Sequence, residues 1–269
     1  MSSTERTPPF RTRFGVPLLA GIPGIAALVG YLYLSTPPES VPAGLSLPVF
    51  AVLSGVNPLL LLVVACLLGA YAAPKVGLRS HLVDRAGGGD GLRQRLRPEV
   101  GLAVGVGVFG GLVVVALDVA LAPFVARDLP QSAVGGAGAT AVDVVAYAPV
   151  RFLYGGVTEE VLLRFGLMSV LVLVGWVVTG RRSDGPGAGV MWVAVAVSAV
   201  LFGVGHLPAL AQSVELTAAL VARTVLLNAV AGVAFGWLYW RRSLEAAMVA
   251  HAAFHVPLVA LSLAQVALA

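Results

Sequence analysis

Charge is what this sequence has least of. Asp, Glu, Lys and Arg make up 11% of its 269 residues, against about 25% in an ordinary soluble domain. So few charges cannot cover a water-facing surface, which excludes a soluble globular domain. Cysteine is nearly absent as well. The single Cys66 lies inside an apolar block and cannot form an internal disulfide, so it reads as a packed, inert thiol. No internal repeat is evident. The surplus of positive charge is small, +4. The arginines stand just beyond the ends of apolar blocks, where membrane proteins carry their orienting charges. No nucleic-acid partner is expected.

What is abundant is apolar. Hydrophobic residues are 58% of the chain, and they come in blocks of about 20 or more, long enough to cross a bilayer. The blocks cover roughly 14–34, 47–73, 100–125, 140–179, 190–206, 216–240 and 244–268. The expected fold is all-α: a polytopic membrane bundle of about seven or eight transmembrane helices. The eighth would arise if the long fourth block breaks near Gly155-Gly156. Three regions follow: a polar N-terminal tail at 1–13, N-terminal transmembrane helices at 14–126, and a membrane core at 140–269. The first block lacks a convincing cleavage site, so it reads as a transmembrane helix or signal anchor. The stretch 75–99 carries Lys75, Arg79, Arg85, Arg93, Arg95 and Arg97 around a Gly-Gly-Gly-Asp-Gly run. It reads as a flexible solvated loop, with His81 solvated in it.

The positive-inside rule orients these blocks. The N-terminus, the 75–97 stretch, the Arg181-Arg182 turn and the Arg241-Arg242 turn all belong on the cytoplasmic side, and the loops near Pro37, at 127–138 and near Pro208 on the other. The signs alternate correctly only if 140–179 crosses once. The expected location is the plasma membrane of a prokaryote, with the N-terminus cytoplasmic.

An ionisable residue inside a membrane helix costs roughly 2.5 to 3.5 kcal/mol and marks function by default. Three groups stand out. In Glu159-Glu160-Val161-Leu162-Leu163-Arg164, Glu160 and Arg164 share a face at i, i+4 and can pair. Adjacent residues on an α-helix point about 100° apart. Glu159 is therefore expected to point elsewhere, without a counter-ion, which suits a general base. Phe202-Gly203-Val204-Gly205-His206 closes the fifth block. His251-Ala252-Ala253-Phe254-His255 puts two imidazoles on one helical face, a spacing common at metal sites. Asp118, Asp143, Arg151, Arg223 and Asn228 read as structural partners across helices, with Arg223 and Asn228 placed for a supporting role.

Glu-Glu-x-x-x-Arg, then Phe-x-x-x-His, then His-x-x-x-His, each on its own membrane helix and in this order, resembles the CPBP family of CAAX prenyl endopeptidases and bacteriocin-processing (Abi) proteins. The resemblance covers about 140–268. It implies an intramembrane endopeptidase acting on a membrane-associated peptide or prenylated protein. By it, Glu159 and His206 activate a water, Glu160, Arg164 and Phe202 support them, and His251 with residue 255 binds a metal or the oxyanion. The family more often has Asn where this chain has His255. Zn²⁺ held by Glu159, His206, His251 and His255 is one expectation; a metal-free mechanism is the other. The chain has no His-Glu-x-x-His run, which argues against the site-2 type of zinc protease. A non-catalytic immunity or scaffold protein with a degenerate site, or a proton-coupled transporter, are the competing classes.

One difficulty stands in the sequence. At about 1.5 Å per residue, Glu159 lies roughly 30 Å from the Arg181 end of its block. On the same measure His251 lies only about 14 Å from the Arg241-Arg242 end of its own. Straight helices would put them at different depths.

Overall fold

A computed structural model describes residues 7–89, 91–128, 140–181 and 184–268. The tail at 1–6, most of the 127–138 loop and Arg182 lie outside the described residues. Seven helical segments are long and apolar enough to span a bilayer, and no strand occurs among the described residues. The chain runs through α1 (Phe10–Ser35), α2 (Leu47–Ala72), the short α3 (His81–Ala86), α4 (Leu92–Val125), α5 (Ala141–Pro149), α6 (Ser169–Val178), α7 (Ala188–Gly205), the one-turn α8 (Leu207–Leu210), α9 (Ala218–Arg241) and α10 (Leu244–Leu268).

The helices are built for lipid. Large apolar side chains such as Leu19, Val52, Phe109, Val119 and Val193 stand on the outside of the bundle. Inward positions are often small, which lets backbones approach where lipid supplies no hydrophobic drive between helices. Gly107 on α4 is one case: a Cβ there would collide with the carbonyl of Ala250 on α10. Side-chain caps start several helices. Thr140 and Asp143 form a capping box on α5, and Thr217 accepts the N–H of Leu220 on α9.

The long fourth block does not break at Gly155-Gly156. It is one continuous helical segment, Ala141–Val178. Between α5 and α6 it is wound wide, as π-helix over Val150–Glu159 and Val161–Met168. This i→i+5 winding usually occurs only as single-turn bulges, often at functional sites. Two hydroxyls sit on carbonyls five residues back: Thr158 Oγ1 on Leu153 O and Ser169 Oγ on Arg164 O, both at 3.3 Å.

The 75–99 stretch departs most from its sequence reading. It is largely helical, and His81 is buried. The cause lies on α10. The buried carboxylate of Glu245 accepts Ser80 Oγ at 2.6 Å, His81 N–H at 2.8 Å and Leu82 N–H at 3.0 Å. These include free N–H groups of the first turn of α3. His81 Nε2 lies 3.2 Å from Glu99, which also accepts Ser243 Oγ at 2.5 Å.

That clamp bears on the depth of His251. Glu99 stands seven residues into α4, about 10 Å at 1.5 Å per residue. The α9–α10 corner tied to it is therefore set inward from the end of α4. On the other helix, wide winding puts more residues in each turn, so the chain climbs less per residue. Both effects bring Glu159 and His251 to one level.

Candidate active site

Four helical segments converge. The π-helical stretch brings Glu159, Glu160 and Arg164; α7 brings Phe202 and, at its end, His206; α9 brings Phe235; α10 brings His251 and His255. The expected Glu160–Arg164 pair is present, with Nε and Oε2 3.3 Å apart and both side chains at 0% exposure. Arg164 Nη2 also donates to Gly232 O of α9 at 3.0 Å, and its guanidinium lies over the rings of Phe202 and Phe235. Buried this way, Arg164 joins three helices.

Glu159 does not point away from its neighbour's surroundings. Both glutamates reach the same imidazole. His251 Nδ1 lies 2.8 Å from Glu160 Oε1, and its Nε2 lies 3.9 Å from Glu159 Oε2. The α-helical divergence of adjacent residues, on which the sequence expectation rested, does not hold in the wider winding. A carboxylate only accepts, so the Nδ1 of a neutral His251 carries the proton and its Nε2 keeps a lone pair facing Glu159. The ring is held by stacking on Phe235, with centroids 4.4 Å apart.

His206 obeys the same logic. Its Nδ1 lies 2.8 Å from the carbonyl of Phe202. A carbonyl cannot donate, so the proton sits on Nδ1 and Nε2 is left as an acceptor. The Phe202 ring stands edge-on to His206 at 4.8 Å and to His251 at 5.8 Å, keeping the two imidazoles apart. His255 stacks beside His251 at 5.1 Å, and both of its nitrogens are buried without a partner among the described residues.

Gly155 makes room for this pair. A Cβ on it would stand 2.8 Å from His255 Nε2 and 3.7 Å from His251 Nε2. Its bare Cα leaves a notch onto which both nitrogens open. Gly155 and Phe235 are the site residues that sequence reasoning missed. The Gly155-Gly156 pair was visible as a possible break; its use as a notch depends on tertiary packing.

The remaining candidates lie apart. Asp118 and Arg223 form an ion pair between α4 and α9. Asp143 caps its own helix, Arg151 lies over Tyr147, and the Asn228 amide donates to Thr224 O on its own helix at 2.9 Å. Among the described residues, no group of three His, Cys, Asp or Glu side chains is placed to hold a metal ion. Glu159, His206, His251 and His255 thus line one region without converging as a tetrahedral zinc site requires.

Residues 141–256 match the family model of type II CAAX prenyl endopeptidase Rce1-like proteins. Over these residues the chain is similar to that family. The match spans every residue of the site, from Gly155 to His255, and it implies intramembrane protease activity of the CAAX type. No curated protein and no solved structure gives a match.

Proposed function

We propose that the chain is a glutamate-dependent intramembrane endopeptidase, hydrolysing a peptide bond of a membrane-associated or lipidated substrate. The observation that carries this reading is the placement of His251 between two carboxylates, one bonded to it and one not. The 3.9 Å between Glu159 and His251 Nε2 is too long for a direct hydrogen bond. A water beside that gap can lie about 2.8 Å from both atoms.

Glu159 takes a proton from this water as its oxygen attacks the scissile carbonyl carbon. The acceptor nitrogen of His251 orients the water through its second proton, and the acceptor nitrogen of His206 receives the N–H of the scissile amide. The carbonyl oxygen becomes an oxyanion, and the N–H of His255 facing the Gly155 notch donates to it. Glu159 then passes its proton to the leaving amine nitrogen, the C–N bond breaks, and a carboxylic acid and an amine are released. Glu160 fixes the tautomer of His251 and, with Arg164, keeps the helices in register. No step is routed through a metal, because the donors do not converge on one. In this reading 140–269 is the catalytic core, 14–126 supports it, and the N-terminus is cytoplasmic in a prokaryotic plasma membrane.

The test is cleavage of a prenylated fluorogenic peptide in proteoliposomes. Glu159→Gln, His206→Ala and His251→Ala should each lower the rate at least 100-fold, on the scale of a lost acid–base group, while the protein still melts cooperatively. Full activity in any folded variant overturns the role given to that residue.

A further inference from the structure

A cavity of about 650 Å³ lies where the start of α1 and the end of α2 meet α3. Phe165 forms part of its wall, but Glu159, His206, His251 and His255 do not. α1 and α2 are consecutive spans, so the start of one and the end of the other face the same side of the membrane. The cavity therefore sits at headgroup level.

Its charged lining is Arg13, Arg79, Arg95 and Asp84. Asp84 Oδ2 pairs with Arg95 Nη1 at 3.4 Å, which leaves Arg13 and Arg79 as the surplus. The Nε of Arg13 is buried and finds no acceptor among the described residues. Such a buried donor calls for an acceptor from elsewhere. The rest of the wall is partly apolar, with Ala73, Leu78, Val83 and Phe165. The volume falls within the roughly 300–1,000 Å³ of small-molecule sites. Guanidinium groups suit phosphate oxygens by geometry as well as charge, and basic pockets between membrane helices take anionic headgroups.

We infer that this cavity binds a phosphate-bearing anion, with the phosphate on Arg13 and Arg79. The group can come from an anionic phospholipid, whose glycerol end would lie on the apolar wall, or from a soluble phosphate.

Two measurements on the full chain separate these sources. In the first, protein in nanodiscs of mixed phosphatidylglycerol and phosphatidylcholine is extracted, and the retained lipid is counted by mass spectrometry. Phosphatidylglycerol should be enriched at least tenfold over the mixture. Arg13→Gln/Arg79→Gln should lose that enrichment, and Arg11→Gln/Arg85→Gln, which removes equal charge from exposed positions, should keep it. In the second, inorganic phosphate is titrated into delipidated protein and Tm is followed. A rise that needs Arg13 and Arg79 assigns the soluble source. Should the double variant fail to fold, Arg79→Gln alone, at an exposed residue, should lower the enrichment or the Tm rise at least threefold. The inference is overturned if neither measurement depends on these arginines, or if the control pair reduces binding equally.

Discussion

The Nε2 of His255 stands 2.8 Å from the point a Cβ on residue 155 would occupy. Gly155→Ala should therefore push His255 away from the scissile carbonyl without touching Glu159. An ångström of misplacement at a reacting centre can cost about 100-fold in rate. The expected outcome is a loss of that order in kcat, with a cooperative melt retained, read by peptide cleavage and thermal unfolding in parallel.

His255 stands where the family resemblance leads one to expect Asn. If donation to the oxyanion is its work, His255→Asn should keep activity within about tenfold of the parent, since an amide N–H can serve in the same place. His255→Ala should lose about 100- to 1,000-fold. A gain on His255→Asn from an inactive parent would instead mark the chain as a non-catalytic member with a degenerate site.

Arg164→Met leaves the Glu160 carboxylate buried without its cation. Breaking a buried ion pair from one side costs about 3–5 kcal/mol, so the variant should melt far below the parent in detergent. Glu160→Gln combined with Arg164→Met removes both charges and should recover much of that loss. A single variant as stable as the parent would show that the pair does not hold the helices.

Metal content discriminates between the two chemistries. The donor arrangement predicts substoichiometric zinc in purified protein and cleavage indifferent to a chelator. One equivalent of zinc, lost in both His251→Ala and His255→Ala, would route the water through a metal instead.

Glu245→Ala removes the acceptor for Ser80, His81 and Leu82. Bonds to a charged acceptor contribute about 1.5–3 kcal/mol each. Residues 80–86 should lose amide-exchange protection by at least that much, while the midsections of α7 and α9 stay protected.

Much of the fold is legible in the sequence, for simple reasons. Span length follows from hydropathy because a bilayer fixes it, and Glu160–Arg164 follows from helical spacing because both partners lie on one helix. Convergence of His206, His251 and the glutamates is legible only through the order of motifs, since nothing local tells one helix where another lies. The 75–99 stretch misleads for a related cause. Its polar residues look solvated until their donors meet a carboxylate 164 positions away, from His81 to Glu245. The direction of Glu159 does not follow from α-helical geometry, because no residue pattern announces the wider winding.

That winding has an evolutionary consequence. Through 150–168 each residue occupies a smaller step of rotation than in an ordinary helix, and the two glutamates owe their shared target to it. Substitutions there away from Gly155, Glu159, Glu160 and Arg164 can be tolerated one by one, but removing a single residue would tighten the coil and swing everything before it around the axis. Apart from those four positions, this stretch should drift in composition and resist any change in length.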